Sequence, residues 1–221
     1  MPEPGLTNYR LVRSGRKTLS LQINKDAELI VRAPNRLSVK KIEQFIDEKS
    51  AWIIQKQQKI KKQHPTVRYQ NGEKFLYLGK YYPLKIIKQS HPQLDFDGCY
   101  FYLCEKGKTQ FKHWYKTQFK KIALPRLAFY SDQSQLSYNQ VRVKSQKTLW
   151  GSCSPANNIN LNYLLIQSPI EVIDYVIVHE LCHIRHKNHS KDFWNLVESI
   201  LPNYKKSRQW LKENGYKLHN L

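Results

Sequence analysis

His179, His183, His186 and His189 fall in one stretch of eleven residues that also holds Glu180, and they are four of the chain's eight histidines. Histidine's special uses are metal ligation and proton transfer, so the clustering asks for one of them. The first five residues, His179-Glu180-Leu181-Cys182-His183, have the H-E-x-x-H spacing. On a helix, His179 and His183 lie one turn apart on one face. Both imidazoles can then reach a single ion at about 2.0–2.1 Å. Glu180 is rotated about 100° from His179, which suits it to reach a water at the ion rather than to act as a third helical ligand. Two ligands and one base are the mechanical content of this spacing.

A catalytic zinc site takes three protein ligands and leaves the fourth position to water. His189 lies just past the expected helix end and is the preferred third ligand. His186, nearer to His183, is the rival; its other role is packing in the last helical turn. Three neutral imidazoles leave the ion nearly its full charge. Glu180 would take the proton of the activated water and pass it to the leaving amine. Ser152, Asn162 and Tyr163 are nominated as oxyanion donors, and Cys182 as a small core residue.

The elements that must position these residues can be read from periodicity. Leu19, Leu21 and Ile23 alternate as a strand, Asp26-Ala27 suits a turn, and Leu29–Ala33 suits a second strand. Ser38 is placed to cap one long helix reaching about Lys62. Phe75–Leu78, a Gly79-Lys80 turn and Tyr81–Ile87 read as a hairpin, and Leu94–Leu103 as another, turning at Asp97-Gly98. A helix from about Thr109 to Tyr130 contains Pro125, which should kink or divide it. Val141–Lys144 reads as a strand, Trp150–Ser154 as turn-rich, and Asn158–Asn162 as an edge strand. Pro169 suits the first turn of a helix that runs to about His186. Val172–Val178 is too apolar for an exposed helix, so the motif belongs at a buried helix end. Lys187-Asn188 could end it through a left-handed cap, and Ser190 would cap the next helix.

The chain has 221 residues and a net charge of +20. Such a basic surface is drawn to polyanions, including nucleic acid. Lys40-Lys41, Lys56–Lys62, the Lys116, Lys120 and Lys121 group, and Lys205-Lys206 with Arg208 could track phosphates. Trp52, Trp114, Tyr115 and Trp210 could stack on bases, although each taken singly fits better as a core aromatic of an amphipathic helix. The four cysteines form no C-x-x-C pair, and Met1–Gly5 has no signal pattern, so a cytoplasmic protein with free thiols is expected. No apolar run is long enough to span a bilayer.

Trp150-Gly151-Ser152-Cys153-Ser154, Ile159-Asn160-Leu161-Asn162 and the segment from His179 to Trp194 together resemble the YgjP-like metallopeptidase family, which is similar to the SprT-like and WLM zinc peptidases. The resemblance is strongest over residues 140–215 and extends across the N-terminal β module. It implies a zincin-like, gluzincin-type core, Zn2+ held by His179, His183 and His189, and Glu180 as base. Leu149 departs from the pattern, since a basic residue is expected there in many members. The expected fold is α+β: an N-terminal β-rich module with one long helix over residues 1–106, and a zincin-like catalytic core over residues 107–221 whose active-site helix packs on a small antiparallel sheet. The expected function is zinc-dependent hydrolysis of protein or peptide substrates, near nucleic acid as the SprT-like and WLM relatives suggest. Two other functions fit the same residues: a metal-dependent nucleotide phosphoanhydride hydrolase, and a non-enzymatic nucleic-acid-binding protein with a structural metal. The lack of a G-x-x-x-x-G-K-[ST] loop or a magnesium-type carboxylate cluster counts against the first. An intact Glu180 counts against the second.

Overall fold

Chain contacts separate two units, Met1–Thr66 and Val67–Leu221. The computed structural model describes residues 8–24, 27–63, 67–88, 94–104, 109–146 and 148–219. Asp26 of the expected turn, and the module boundary expected at Lys106–Lys108, lie outside the described residues.

In the first unit β1 (Tyr9–Ser14), β2 (Ser20–Ile23) and β3 (Leu29–Pro34) form a sheet in the order β1-β3-β2, with β3 parallel to β1 and antiparallel to β2. Alternation along β3 buries Leu29, Val31 and Ala33 against Ile42, Ile46 and Ile53, with Leu19, Leu21 and Ile23 packed at the margin. Ser38 caps α1 (Val39–Glu48), its side chain accepting from the Lys41 amide. The single long helix expected here is two, because α1 ends at Lys49 and α2 runs from Ser50 to Gln63. No glycine or proline marks the break, and the apolar spacing from Ile46 to Ile53 continues straight through it.

The second unit opens with β4 (Lys74–Tyr77), β5 (Lys80–Ile87), β6 (Leu94–Phe96) and β7 (Phe101–Cys104), in the order β4-β5-β7-β6. Both expected hairpins form, but the first turns one residue earlier than the expected Gly79-Lys80, because Lys80 already pairs with Tyr77 in the ladder. Leu78 and Gly79 close the first with φ of 46° and 81°, the two positive values that a tight hairpin turn needs. A Cβ on Gly79 would lie 2.8 Å from Pro169 Cγ. The turn amides donate onward, Leu78 to the Ile166 carbonyl at 2.9 Å and Gly79 to the Gln167 carbonyl at 3.0 Å. The hairpin tip therefore holds the 3-10 turn Tyr163–Gln167, which leads into the motif helix.

That helix, α4 (Ile170–Arg185), is the buried axis of the unit: Ile173, Ile177, Val178, Leu181 and Cys182 are wholly inaccessible. Against it lies α3 (Gln110–Ser134), which buries Phe111, Tyr115, Phe119, Ala123 and Leu127 at a spacing of four. Pro125 sits inside α3 without dividing it. Tyr115 donates its hydroxyl to the Leu76 carbonyl at 2.6 Å, and Phe111 stacks on Phe75 with centroids 4.1 Å apart. The β4–β7 sheet and the helices thus share one core. β8 (Val141–Lys144), β9 (Gly151–Cys153) and β10 (Ile159–Asn162) form the third sheet, ordered β8-β10-β9. It differs from expectation in two ways. It is mixed, since β10 is parallel to β8 and antiparallel to β9. And β10 is its centre, with Ile159 and Leu161 wholly buried; the edges are β8 and β9, the latter inside the segment read as turn. The chain ends with α5 (Lys191–Ile200), α6 (Tyr204–Asn214) and the 3-10 turn Gly215–His219.

One ion pair ties α3 to α4. Arg126 makes a forked contact with Asp174, Nε to Oδ1 and Nη2 to Oδ2, the latter at 2.6 Å. Asp174 is buried mid-helix, whereas Arg126 keeps 37% of its side chain exposed. Removing one partner from a buried pair strands the other charge, at about 3–5 kcal/mol. Arg126→Ala should cost an amount near the lower end of that range, read by chemical denaturation. Arg126→Ala/Asp174→Leu should recover most of it; a double variant no more stable than the single would show the pair is not the cause.

Candidate metal centre

The three imidazoles of His179, His183 and His189 converge, with one ligand atom from each lying within 4.8 Å of the others. The Nε2 atoms of His179 and His189 are 3.1 Å apart. Ligand atoms placed tetrahedrally about one ion at about 2.0–2.1 Å stand a little over three ångströms apart, so the donor set fits a single divalent ion. Phe193 forms the floor: it is wholly buried, and its ring centroid lies 5.0, 4.6 and 4.9 Å from those of His179, His183 and His189.

The chain reaches this arrangement through the corner after α4. The helix stops at Arg185, and His186 turns out with φ −121° and ψ 104° while its amide still donates to Cys182. The left-handed ending expected at Lys187-Asn188 does not occur; neither residue has a positive φ. Extended backbone serves instead, because the corner must cross to α5 rather than fold back on its own helix. Ser190 caps α5 as expected, accepting from the Phe193 amide, with Asp192 in the first turn. Lys187 fastens the corner to the β9–β10 turn, donating to Asn157 Oδ1 at 2.8 Å. His186 stays outside the triad and contributes its carbonyl, which accepts from His183 Nδ1 at 2.9 Å. A carbonyl can only accept, so the proton of a neutral His183 ring sits on Nδ1 and Nε2 keeps a free lone pair. His179 Nδ1 is buried without a partner among the described residues.

Electrostatics keep the rings of His179 and His183 neutral. Burial, then the neighbouring His183, His189 and Arg208, lower the pKa of His179 to about 3. Burial also lowers that of His183, against the opposing bond to His186. Neutral imidazole is the form that ligates.

Glu180 is 5% exposed and lies against β9. A Cβ added to Gly151 would stand 2.5 Å from Glu180 Oε1 and 2.8 Å from its Cδ. Gly151 is thus the cradle of this carboxyl, and its role is not visible in helix periodicity; the glycine inside Trp150-Gly151-Ser152-Cys153 was the available signal. The neighbouring Trp150 stacks on His219 at 4.8 Å, tying the segment to the C-terminal turn. Burial pushes the Glu180 pKa up to about 8. Cys182 is fully buried in the core, as expected. The nominated oxyanion donors are placed otherwise. Asn162 spends its Nδ2 on the Gln146 and Leu149 carbonyls at 2.8 and 3.0 Å, and Tyr163 is buried in the core. Ser152 accepts from Asn160 Nδ2 at 3.0 Å, and strand alternation puts it on the face opposite Gly151.

Two outcomes follow for the protein stripped of metal. Gly151→Ala should destabilise it by about 1–3 kcal/mol through overpacking, and most of that loss should vanish in a Glu180→Ala background. A denaturant-melt cycle without such coupling would place the strain elsewhere. Glu180 titrates near its usual 4.5 when unfolded and at about 8 when folded. The folded chain therefore holds the extra proton, and stability falls as pH rises through that interval. Glu180→Gln should remove this fall, raising Tm more at pH 8 than at pH 5; an equal gain at both would contradict the burial effect.

A family model described as "YgjP-like, metallopeptidase domain" matches residues 17–214. No curated protein matches the chain. Among solved structures, the metallopeptidase zymogen abylysin of Pyrococcus abyssi is similar at 22% identity and TM-score 0.37, over 41% of this chain and 93% of its own. The jannalysin zymogen of Methanocaldococcus jannaschii is similar at 21% and TM-score 0.36, over 41% and 92%. The extent of the family match decides the assignment: this chain belongs to the YgjP-like metallopeptidase family.

Proposed function

We propose that this protein is a zinc-dependent peptidase on a zincin-like core, with His179, His183 and His189 as ligands and Glu180 as general base. The observation that carries the reading is the convergence of three imidazoles, with a buried carboxyl on the helix that carries two of them. An all-nitrogen set of three with an open fourth position suits zinc. When bound, zinc supplies Lewis acidity, polarising the scissile carbonyl and bringing the pKa of a water towards about 7.

The chain's own residues do the rest. A base must accept a proton near neutral pH and later release it. Burial raises the proton affinity of the Glu180 carboxyl above that of an exposed glutamate, towards the range a base needs near neutral pH. Gly151 holds the carboxyl at the strand, where a proton taken from water at an Oε atom can be handed to the leaving amine. β9 also offers a place for substrate backbone. Trp150 accepts from the Asn162 amide, and the Ser154 amide donates to Asn158. In an antiparallel ladder the residues between such bonded pairs face the other way. Gly151 and Cys153 therefore present N–H and C=O groups to the free edge of the sheet, where an extended peptide can add as a strand.

Metal analysis with peptide hydrolysis tests the reading. The purified protein should carry about one zinc per chain, as a single three-histidine site requires. His189→Ala should lose both metal and activity, and His186→Ala should keep its zinc. Glu180→Gln should keep zinc and lose hydrolysis by about 10²–10⁴-fold, the range for one general base. Zinc retained at full occupancy in His189→Ala, or peptide cleavage surviving Glu180→Gln, would overturn it.

A further inference from the structure

We infer that Arg208, stacked on Trp194 beside His189, reads a carboxylate on the substrate, either an acidic side chain or the free C-terminus, close to the bond to be cleaved. The inference rests on the peptidase reading above and names what that site prefers to bind.

Arg208 Cζ lies 4.4 Å from the Trp194 ring centroid. The same indole stacks on His189, centroids 5.6 Å apart and planes 21° from parallel, and lies 5.8 Å from His179. One aromatic ring thus joins the guanidinium to the proposed ligands. Tyr204 stacks on Trp194 at 5.5 Å and on Tyr175 at 6.2 Å, so the wall that holds Arg208 is built of rigid rings. The positive charge also registers at the site, where it opposes the burial-driven rise of the Tyr175 pKa to about 12.

Among the described residues Arg208 forms no ion pair, and Glu198, the glutamate of α5, is held by Lys205 at 2.8 Å. An exposed arginine fixed by stacking, with its planar fork uncommitted, is suited to bidentate carboxylate recognition. Stacking lowers the entropy lost when that bond forms. Through the shared indole the guanidinium lies no more than about 10 Å from the His189 ring, a span of about three residues of extended peptide at about 3.3 Å each. Arg185, Lys187 and Lys191 lie in or beside the corner that carries His189, and a chain of net charge +20 draws carboxylate-bearing substrates to this face.

The test uses the full-length, zinc-loaded Glu180→Gln protein, so that peptides bind without being cut. Short peptides are paired so that members differ only by Glu against Gln at one position, or by a C-terminal carboxylate against a carboxamide. Binding is followed by calorimetry and tryptophan fluorescence. At one of these positions the carboxylate member should bind about five- to thirtyfold more tightly, the range for one partly screened charge-assisted contact; the pair that discriminates identifies the source. Adding Arg208→Gln should abolish the discrimination, and adding Arg208→Lys should keep part of it. An arginine that merely packs on Trp194 would leave the ratio between paired peptides unmoved. No preference in the starting protein, or an equal preference after Arg208→Gln, would overturn the inference. Failure of the peptidase reading shows separately, as absence of cleavage by the chain with Glu180 intact.

Discussion

A carboxyl with almost no access to solvent is costly to ionise, and Glu180 is held in that condition by the close approach of β9 to α4. The approach is possible only because residue 151 has no side chain. Much of the second unit serves to maintain it. The Leu78-Gly79 tip holds the turn that starts α4, the Arg126–Asp174 pair ties the helix to α3, and Asn162 fastens the segment leading into β9 through the Gln146 and Leu149 carbonyls. Each contact lies outside the triad, yet each fixes one of the two surfaces that enclose the carboxyl.

The same enclosure conditions the histidines. A ring that must offer a lone pair cannot carry a second proton, and burial removes the protonated form of His179 and His183. The His186 carbonyl then selects which nitrogen of His183 is bare. His186, a rival for ligation by spacing, contributes through its backbone because the helix has already ended there. A side chain leaving extended backbone does not follow the helical face that carries His179 and His183. The crossing that carries His186 away from the face of His179 and His183 is also what brings His189 to it.

Local sequence accounts for a good part of this. The positions of His179 and His183 follow from helical periodicity, the Ser190 cap from its hydroxyl and position, and the hairpin around Gly79, though not its exact turn residues, from alternation around a glycine. The apolar run Val172–Val178 required a buried helix, and it is one. Other features left no local trace. The break between α1 and α2 occurs without glycine or proline. The strand β10 alternates as an edge strand would, yet lies at the centre of its sheet, because short strands covered on one face share that pattern wherever they pair.

The sequence by itself determined which groups can do chemistry and how far apart along the chain they stand, since one helical turn is enough to align two imidazoles and to rotate a carboxyl away from them. Tertiary structure alone decided the third imidazole's approach, the burial that raises the proton affinity of Glu180, and the pairing of Gly151 with that carboxyl. These depend on contacts between segments distant in sequence, and the free energy that sets a distant contact is shared among every group that packs around it. No local pattern encodes that sum, so the glycine beside Trp150 reads as a turn residue until β9 is seen lying on α4.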